Sequence, residues 1–219
     1  MAEVPQNTLG IVIGLIALGL TPFLIVSMTA FLKIAVVMFL IRNALGVQQT
    51  PPNLVLYGIA MVLTVYVTTP LVSDLYSRLT ARSVDFSSVE SIKTSAASIR
   101  QPVQAHLMHY TQPAERQFFL SATSRVWPET ARTDVKDDDL IVLLPAFVSS
   151  ELTRAFEIGF LLYLPFLVID LVVSNVLMAM GMMMVSPTLI SVPLKLFLFV
   201  GVNGWSRLMH GLILSYGQP

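Results

Sequence analysis

The chain has 219 residues, 55% of them hydrophobic and only 12% charged, with a mean hydropathy of +0.75. A soluble domain carries about 25% charged residues, so a bilayer or a large apolar interface is the expected surroundings. Thirteen basic and thirteen acidic residues cancel, which argues against the basic patch of a nucleic-acid binder.

There is no cysteine, which excludes disulfides, thiolate chemistry and cysteine metal sites. The three histidines, His106, His109 and His210, belong to no HExxH pattern. No cofactor, no metal site and no catalytic constellation is expected, so the chain is not read as an enzyme.

At the N-terminus the first ten residues hold one charged side chain, Glu3, and no Lys or Arg precedes Lys33. A cleaved signal needs a basic leading region, so the apolar run that follows reads as retained structure. That run covers residues 9–41, too long for one plain span of about 20 residues. Thr21-Pro22 lies inside it and predicts a kink or break, because proline removes a backbone donor. Gly10, Gly14 and Gly19 would let another helix approach closely.

Residues 46–53, from Gly46 through Pro51-Pro52-Asn53, form a breaker cluster. A second apolar helix over residues 54–76 follows it. Residues 1–76 therefore read as one helical hairpin. Lys33 and Arg42 flank its turn without a nearby acid, which places that turn in the cytoplasm and leaves the N-terminus and the next segment outside.

Residues 77–139 hold eight basic and eight acidic residues, 16 of the 26 in the chain. This polar insert has loose helical spacing over residues 89–108, and Phe118-Phe119-Leu120 offers an apolar docking point. Its acidic end, residues 134–139, reads as a solvated linker that starts the next helix.

Residues 140–219 return to apolar character and read as a second hairpin. A helix over residues 140–180 carries Pro145, Pro165 and four ionisable side chains, Glu151, Arg154, Glu157 and Asp170. Gly181 and Val185-Ser186-Pro187 mark the turn. A helix over residues 188–214 follows, with Pro193, Lys195, Asn203 and Arg207. The fold class is thus all-α: two kinked, membrane-protein-like hairpins separated by a polar, helical insert.

Ionisable groups inside apolar helices are costly and need partners. Glu151, Arg154 and Glu157 fall at successive i+3 steps and share a helix face. They form either a neutralised contact stripe or the lining of a path. Asp170 stands alone in its apolar run, and Lys195 on the next helix is its nearest candidate partner. Five of the eleven methionines, Met178, Met180, Met182, Met183 and Met184, crowd the second turn. Thioether chains repack at low cost, so the cluster is either ordinary packing at a bend or a deformable seal.

Two sets of strings carry a resemblance. The first is Lys33-Ile34-Ala35-Val36-Val37 with Arg42-Asn43-Ala44-Leu45-Gly46-Val47-Gln48-Gln49-Thr50-Pro51-Pro52-Asn53. The second includes Leu144-Pro145-Ala146-Phe147, Pro165-Phe166-Leu167-Val168-Ile169-Asp170-Leu171-Val172-Val173 and Met180-Gly181-Met182-Met183-Met184-Val185-Ser186-Pro187. Both resemble the FliP/SctR family of export-gate proteins of type III and flagellar secretion systems. The absence of a signal-like leader favours the SctR branch.

The resemblance implies a homo-oligomer, a pentamer, joined by FliQ/SctS-type and FliR/SctT-type subunits in a ring-like helical assembly. A FlhB/SctU-type switch protein, an inner rod and secreted unfolded proteins are the further partners, and nucleic acid is not one. It places the chain in the bacterial inner membrane, with the assembled complex projecting towards the periplasm. It makes Met182, Met183 and Met184, with Met180, the pore gate. Glu151, Arg154, Glu157, Asp170, Lys195, Lys33 and Arg42 are left as inter-helix or inter-subunit polar contacts. Asn203 stands where many of the family carry Asp. Beside this gated conduit stand two other readings: an ion-coupled small-molecule transporter resting on Glu151, Glu157 and Asp170, and a scaffold without a pore role.

Overall fold

The computed structural model describes residues 6–47, 49–80, 89–132 and 135–217. Glu3 and the leading residues lie outside the described residues, as do Gln48, residues 81–88 of the polar insert and Asp134 of its acidic end. In chain order the helices are α1 (Gln6–Met28), α2 (Phe31–Ala44), α3 (Asn53–Thr80), α4 (Val89–Tyr110), α5 (Pro113–Val126), α6 (Leu140–Ala179), α7 (Thr188–Gly201) and α8 (Gly204–Leu214). One 3-10 turn, Glu129–Ala131, follows α5. No strand occurs among the described residues, so the all-α expectation is borne out.

The break expected at Thr21-Pro22 falls elsewhere, and the helix expected over residues 188–214 is divided. α1 continues through Pro22, and the first apolar run breaks at Thr29-Ala30 instead. There the Thr29 hydroxyl donates to the carbonyl of Ile25, a local bond that competes with helix propagation. The last apolar run continues through Pro193 and breaks at Val202-Asn203, with a bend of 61° between α7 and α8. Asn203 adopts φ 53°, the left-handed region that Asn tolerates better than other non-glycine residues.

α6 runs unbroken through Pro145 and Pro165 over 40 residues. Among the described residues α3 and α6 are long and apolar enough to cross a membrane; residues 22–28 with α2, and α7 with α8, pass only as broken pairs.

The chain divides into two compact units. One comprises residues 1–30 and 68–151. Its core is Leu107 of α4 with Leu143 and Phe147 of α6, packed by Met28, Val103 and Tyr110. The acidic end of the insert does start α6, but it is not merely solvated. Asp139 takes Arg100 of α4 at 2.5 Å, Asp137 takes Arg116 of α5 at 3.5 Å, and the Asp138 carbonyl accepts from Gln104 at 2.7 Å. The α4–α5 turn is closed by the Gln112 N–H, which donates to Ser150 Oγ at 3.0 Å. No described side chain of α5 is fully buried, and Phe118 is exposed, so Phe118 does not dock.

The other unit comprises residues 31–67 and 152–219. Its centre is α2, where Ile34, Val37, Met38, Ile41 and Ala44 are buried at helical spacing. Gly159 of α6 lets α2 approach: a Cβ there would lie 2.2 Å from Leu40 Cδ1 and 3.2 Å from Leu40 Cβ. Phe31 stacks on Tyr57 of α3, and Phe39 meets the same ring edge-on.

In the first unit His106 packs edge-on to Tyr110 at 5.0 Å, with His109 on the same ring at 4.7 Å. Burial, and then the neighbouring His109, hold the His106 imidazole below its ordinary value of 6.5. Burial and Glu151 push the Tyr110 phenol up. As pH falls below about 6.5 the unfolded chain takes up a proton at residue 106 before the folded chain does, so folding stability declines until the lower folded-state value is passed. The expected outcome is a thermal unfolding midpoint that drops from about pH 7.5 to about pH 5.5, with a smaller drop for His106→Gln. Equal drops in the two proteins would remove His106 from the effect.

Candidate functional site

The methionine-rich elbow is a built turn, not a loose bend. α6 ends at Ala179, and Gly181 adopts φ +74°. The Met182 N–H donates to the Leu177 carbonyl at 2.9 Å and the Gly181 N–H to the Met178 carbonyl at 3.0 Å. This 6→1 and 5→2 pair is a Schellman cap, which needs a residue able to take positive φ at the glycine position. Beyond it the Val185 N–H donates to the Met182 carbonyl at 3.2 Å, the Ser186 and Thr188 hydroxyls meet at 2.8 Å, and the Ser191 N–H donates to the Pro187 carbonyl at 2.9 Å. These bonds hold the turn, and the methionine side chains on it are uncovered. Met183 is 83% exposed and Met184 fully so, while Met180 and Met182 are less so.

α7 is tied back beneath the elbow by one buried cation. Lys195 is 4% exposed. Its ammonium donates to Asp170 Oδ2 of α6 at 2.5 Å and to the Ala44 carbonyl at the end of α2 at 3.0 Å. A buried ammonium needs both charge and hydrogen-bond partners, and α6 and α2 supply them to α7. The structure thus brings Asp170 and Lys195 together.

Lys33 is also buried, with its ammonium 3.5 Å from the centre of the Tyr216 ring, a cation–π contact that closes the C-terminus on α2. Arg42 donates to Asn53 Oδ1 at 2.5 Å and to the Pro51 carbonyl at 3.4 Å, and its guanidinium lies 5.0 Å from the Phe39 ring. It pins the breaker cluster. The Glu151, Arg154, Glu157 stripe does not share one environment: Glu151 is fully buried, Arg154 half-buried and Glu157 exposed.

Several partners carried no sequence signal. The Ala44 carbonyl is a backbone group with no side-chain signature. Tyr216 lies far along the chain from Lys33. Asn53 was legible only as a turn residue. The Gly181 cap was signalled, since a glycine directly follows the apolar run.

With this geometry in place, comparison with known proteins is decisive. Residues 14–212 match the FliP family. The chain belongs to the FliP family. It is 52% identical over 219 residues to a protein named probable translocation protein y4yL of Sinorhizobium fredii, covering 100% of this chain and 99% of that one. It is 48% identical over 217 residues to Yop proteins translocation protein R of Yersinia pestis, covering 99% and 100%. It is 41% identical over 217 residues to virulence protein YscR of Salmonella typhimurium, covering 98% and 99%. The family expectation is met, and with its apolar helices this FliP-family chain is a membrane protein.

The clamp predicts an unequal pair of losses. Asp170→Leu leaves a buried ammonium with the Ala44 carbonyl alone and should cost about 3–5 kcal/mol. Lys195→Met should cost less, because the Asp170 side chain is 37% exposed and can be hydrated. Thermal unfolding of the two single variants and the double variant in detergent checks this. Additive losses in the double variant would mean that the two groups do not act together.

Proposed function

We propose that this chain is a core subunit of the inner-membrane export gate of a type III protein secretion system. Copies of it form the gated conduit for unfolded substrate proteins. The observation that carries this reading is the full-length relationship to proteins named for Yop translocation, harpin secretion and virulence. The reading includes a pentamer that joins FliQ/SctS-type and FliR/SctT-type subunits and meets a switch protein and an inner rod. Residues 77–139 form its periplasmic insert between the two hairpins. The conduit is passive, with energy supplied elsewhere.

Two physical features support it. At about 1.5 Å per residue, the 40 residues of α6 reach about 60 Å, twice a hydrocarbon core of about 30 Å. Such a helix suits a subunit that extends beyond the bilayer plane. The elbow presents Met183 and Met184 as uncovered, adaptable side chains on a rigid cap. Converging copies would make a seal that closes on itself and moulds around a passing chain. The transporter reading has no comparable support, because Lys195 already engages Asp170.

Replacing Met182, Met183 and Met184 together by Ala should leave assembly with partner subunits intact and make the resting membrane leak ions, read by conductance and by dye entry. Unchanged conductance in a variant that assembles normally would remove the gate assignment. Retained secretion alongside raised leak separates a seal from a pure scaffold.

A further inference from the structure

A second feature of the residues 31–67 and 152–219 unit lies away from the elbow. α2, α6, α7 and α8 enclose a groove of about 460 Å³, within the range of about 300–1,000 Å³ that holds small organic ligands. Ile158, Leu162, Phe166, Leu198 and Leu212 line it. Among the described residues Arg207 and Ser215 are its only polar side chains, and the Ser215 hydroxyl already donates to the Leu212 carbonyl at 2.7 Å. Arg207 is exposed and, among the described residues, bonds to no carboxylate.

The electrostatics around Arg207 are one-sided. No Asp or Glu occurs in residues 171–219, whose fixed cations are Lys195 and Arg207. Lys195 is neutralised by Asp170. Arg207 stands in the first turn of α8, which has no acidic residue there, so the positive end of the helix dipole adds to its charge. Trp205 in the same turn is half-buried and packs edge-on against Phe199 at 5.2 Å, and Phe199 itself lines the groove. An apolar slot with an unmatched cation and a tryptophan at its side has the polarity of one acyl chain and its anionic headgroup.

We propose that this groove seats an anionic phospholipid, with an acyl chain along the α6–α8 lining and the phosphate on Arg207. A free phosphate would make no use of the apolar lining. A zwitterionic lipid would bring its own cation to Arg207. The assignment needs the chain to be in a membrane and does not need it to be a gate, so secretion and lipid binding are read separately.

The chain has two tryptophans, Trp127 and Trp205, and Trp127→Phe leaves Trp205 as the sole reporter. That full-length protein is placed in bilayer discs with its partner subunits, whose own tryptophans are replaced by phenylalanine. Phosphatidylglycerol or phosphatidylcholine brominated on the acyl chain is then titrated at equal mole fraction, with Trp205 fluorescence as the readout. Quenching by the anionic lipid should be favoured about fivefold, the contribution of one cation near an anionic surface. Arg207→Gln should abolish the preference while leaving quenching by both lipids. A Cβ at Gly211, which lines the groove, would meet nothing within 4 Å, so Gly211→Leu should narrow the slot and reduce quenching by both.

Equal quenching by the two lipids in the parent protein, or a preference that survives Arg207→Gln, overturns the proposal. Absence of quenching also overturns it, since another protein chain then covers the groove. Loss of the preference in excess inorganic phosphate would mean a phosphate site without a lipid, and overturns it too.

Discussion

The buried ammonium of Lys195 is the constraint on which the second unit depends. Taking that charge out of water is unfavourable by several kcal/mol unless its donors are matched. The match comes from an Asp170 carboxylate on α6 and the Ala44 carbonyl at the end of α2. One side chain therefore fixes where α7 returns along α6 and where α2 ends against both. The elbow between α6 and α7 inherits that rigidity and adds its own through the Gly181 cap. Flexible methionine side chains are thus mounted on a backbone that has little freedom.

Apolar runs and breaker clusters were enough to place α3 and α6 to within a few residues, because each is a long uninterrupted stretch bounded by turn chemistry. The breaks inside the other runs were harder. Pro22 was the expected disruptor, yet α1 passes through it, as α7 passes through Pro193. A proline costs one hydrogen bond and a local clash, and a helix with good apolar contacts can absorb that. Thr29 and Asn203 were the residues that mattered, through a hydroxyl that bonds the preceding turn and a backbone in the left-handed region. Neither break was expected: residues 188–214 read as one helix through Asn203-Gly204, and the Thr29 bond carries no sequence signature. The site was read in a similar way. Opposite charges on adjacent apolar helices pointed to Asp170 and Lys195, whereas a carbonyl partner and the stacking of Lys33 on Tyr216 exist only once the chain is folded.

What remains uncovered is as informative as what is buried. Only 17% of the apolar window of α6 is buried within the chain, and Phe197, Met183 and Met184 are largely exposed. Faces of this kind are tolerated only against lipid or against other protein. Three charged groups nevertheless turn inward: Lys33, Lys195 and Glu151 are all buried. A chain that buries charged groups of its apolar helices and leaves apolar surface free is suited to assembling with copies of itself and with other apolar helices.

The central claim is that the elbow meets its counterparts from other copies. The chain contains no cysteine, so Met183→Cys introduces a single thiol at the most direct point. In membranes that carry the partner subunits, mild oxidation should join copies through residue 183, since a disulfide forms only when the two Cα atoms come within about 7 Å. A thiol at 183 that never cross-links, and reacts only with reagents dissolved in the lipid, would contradict the claim.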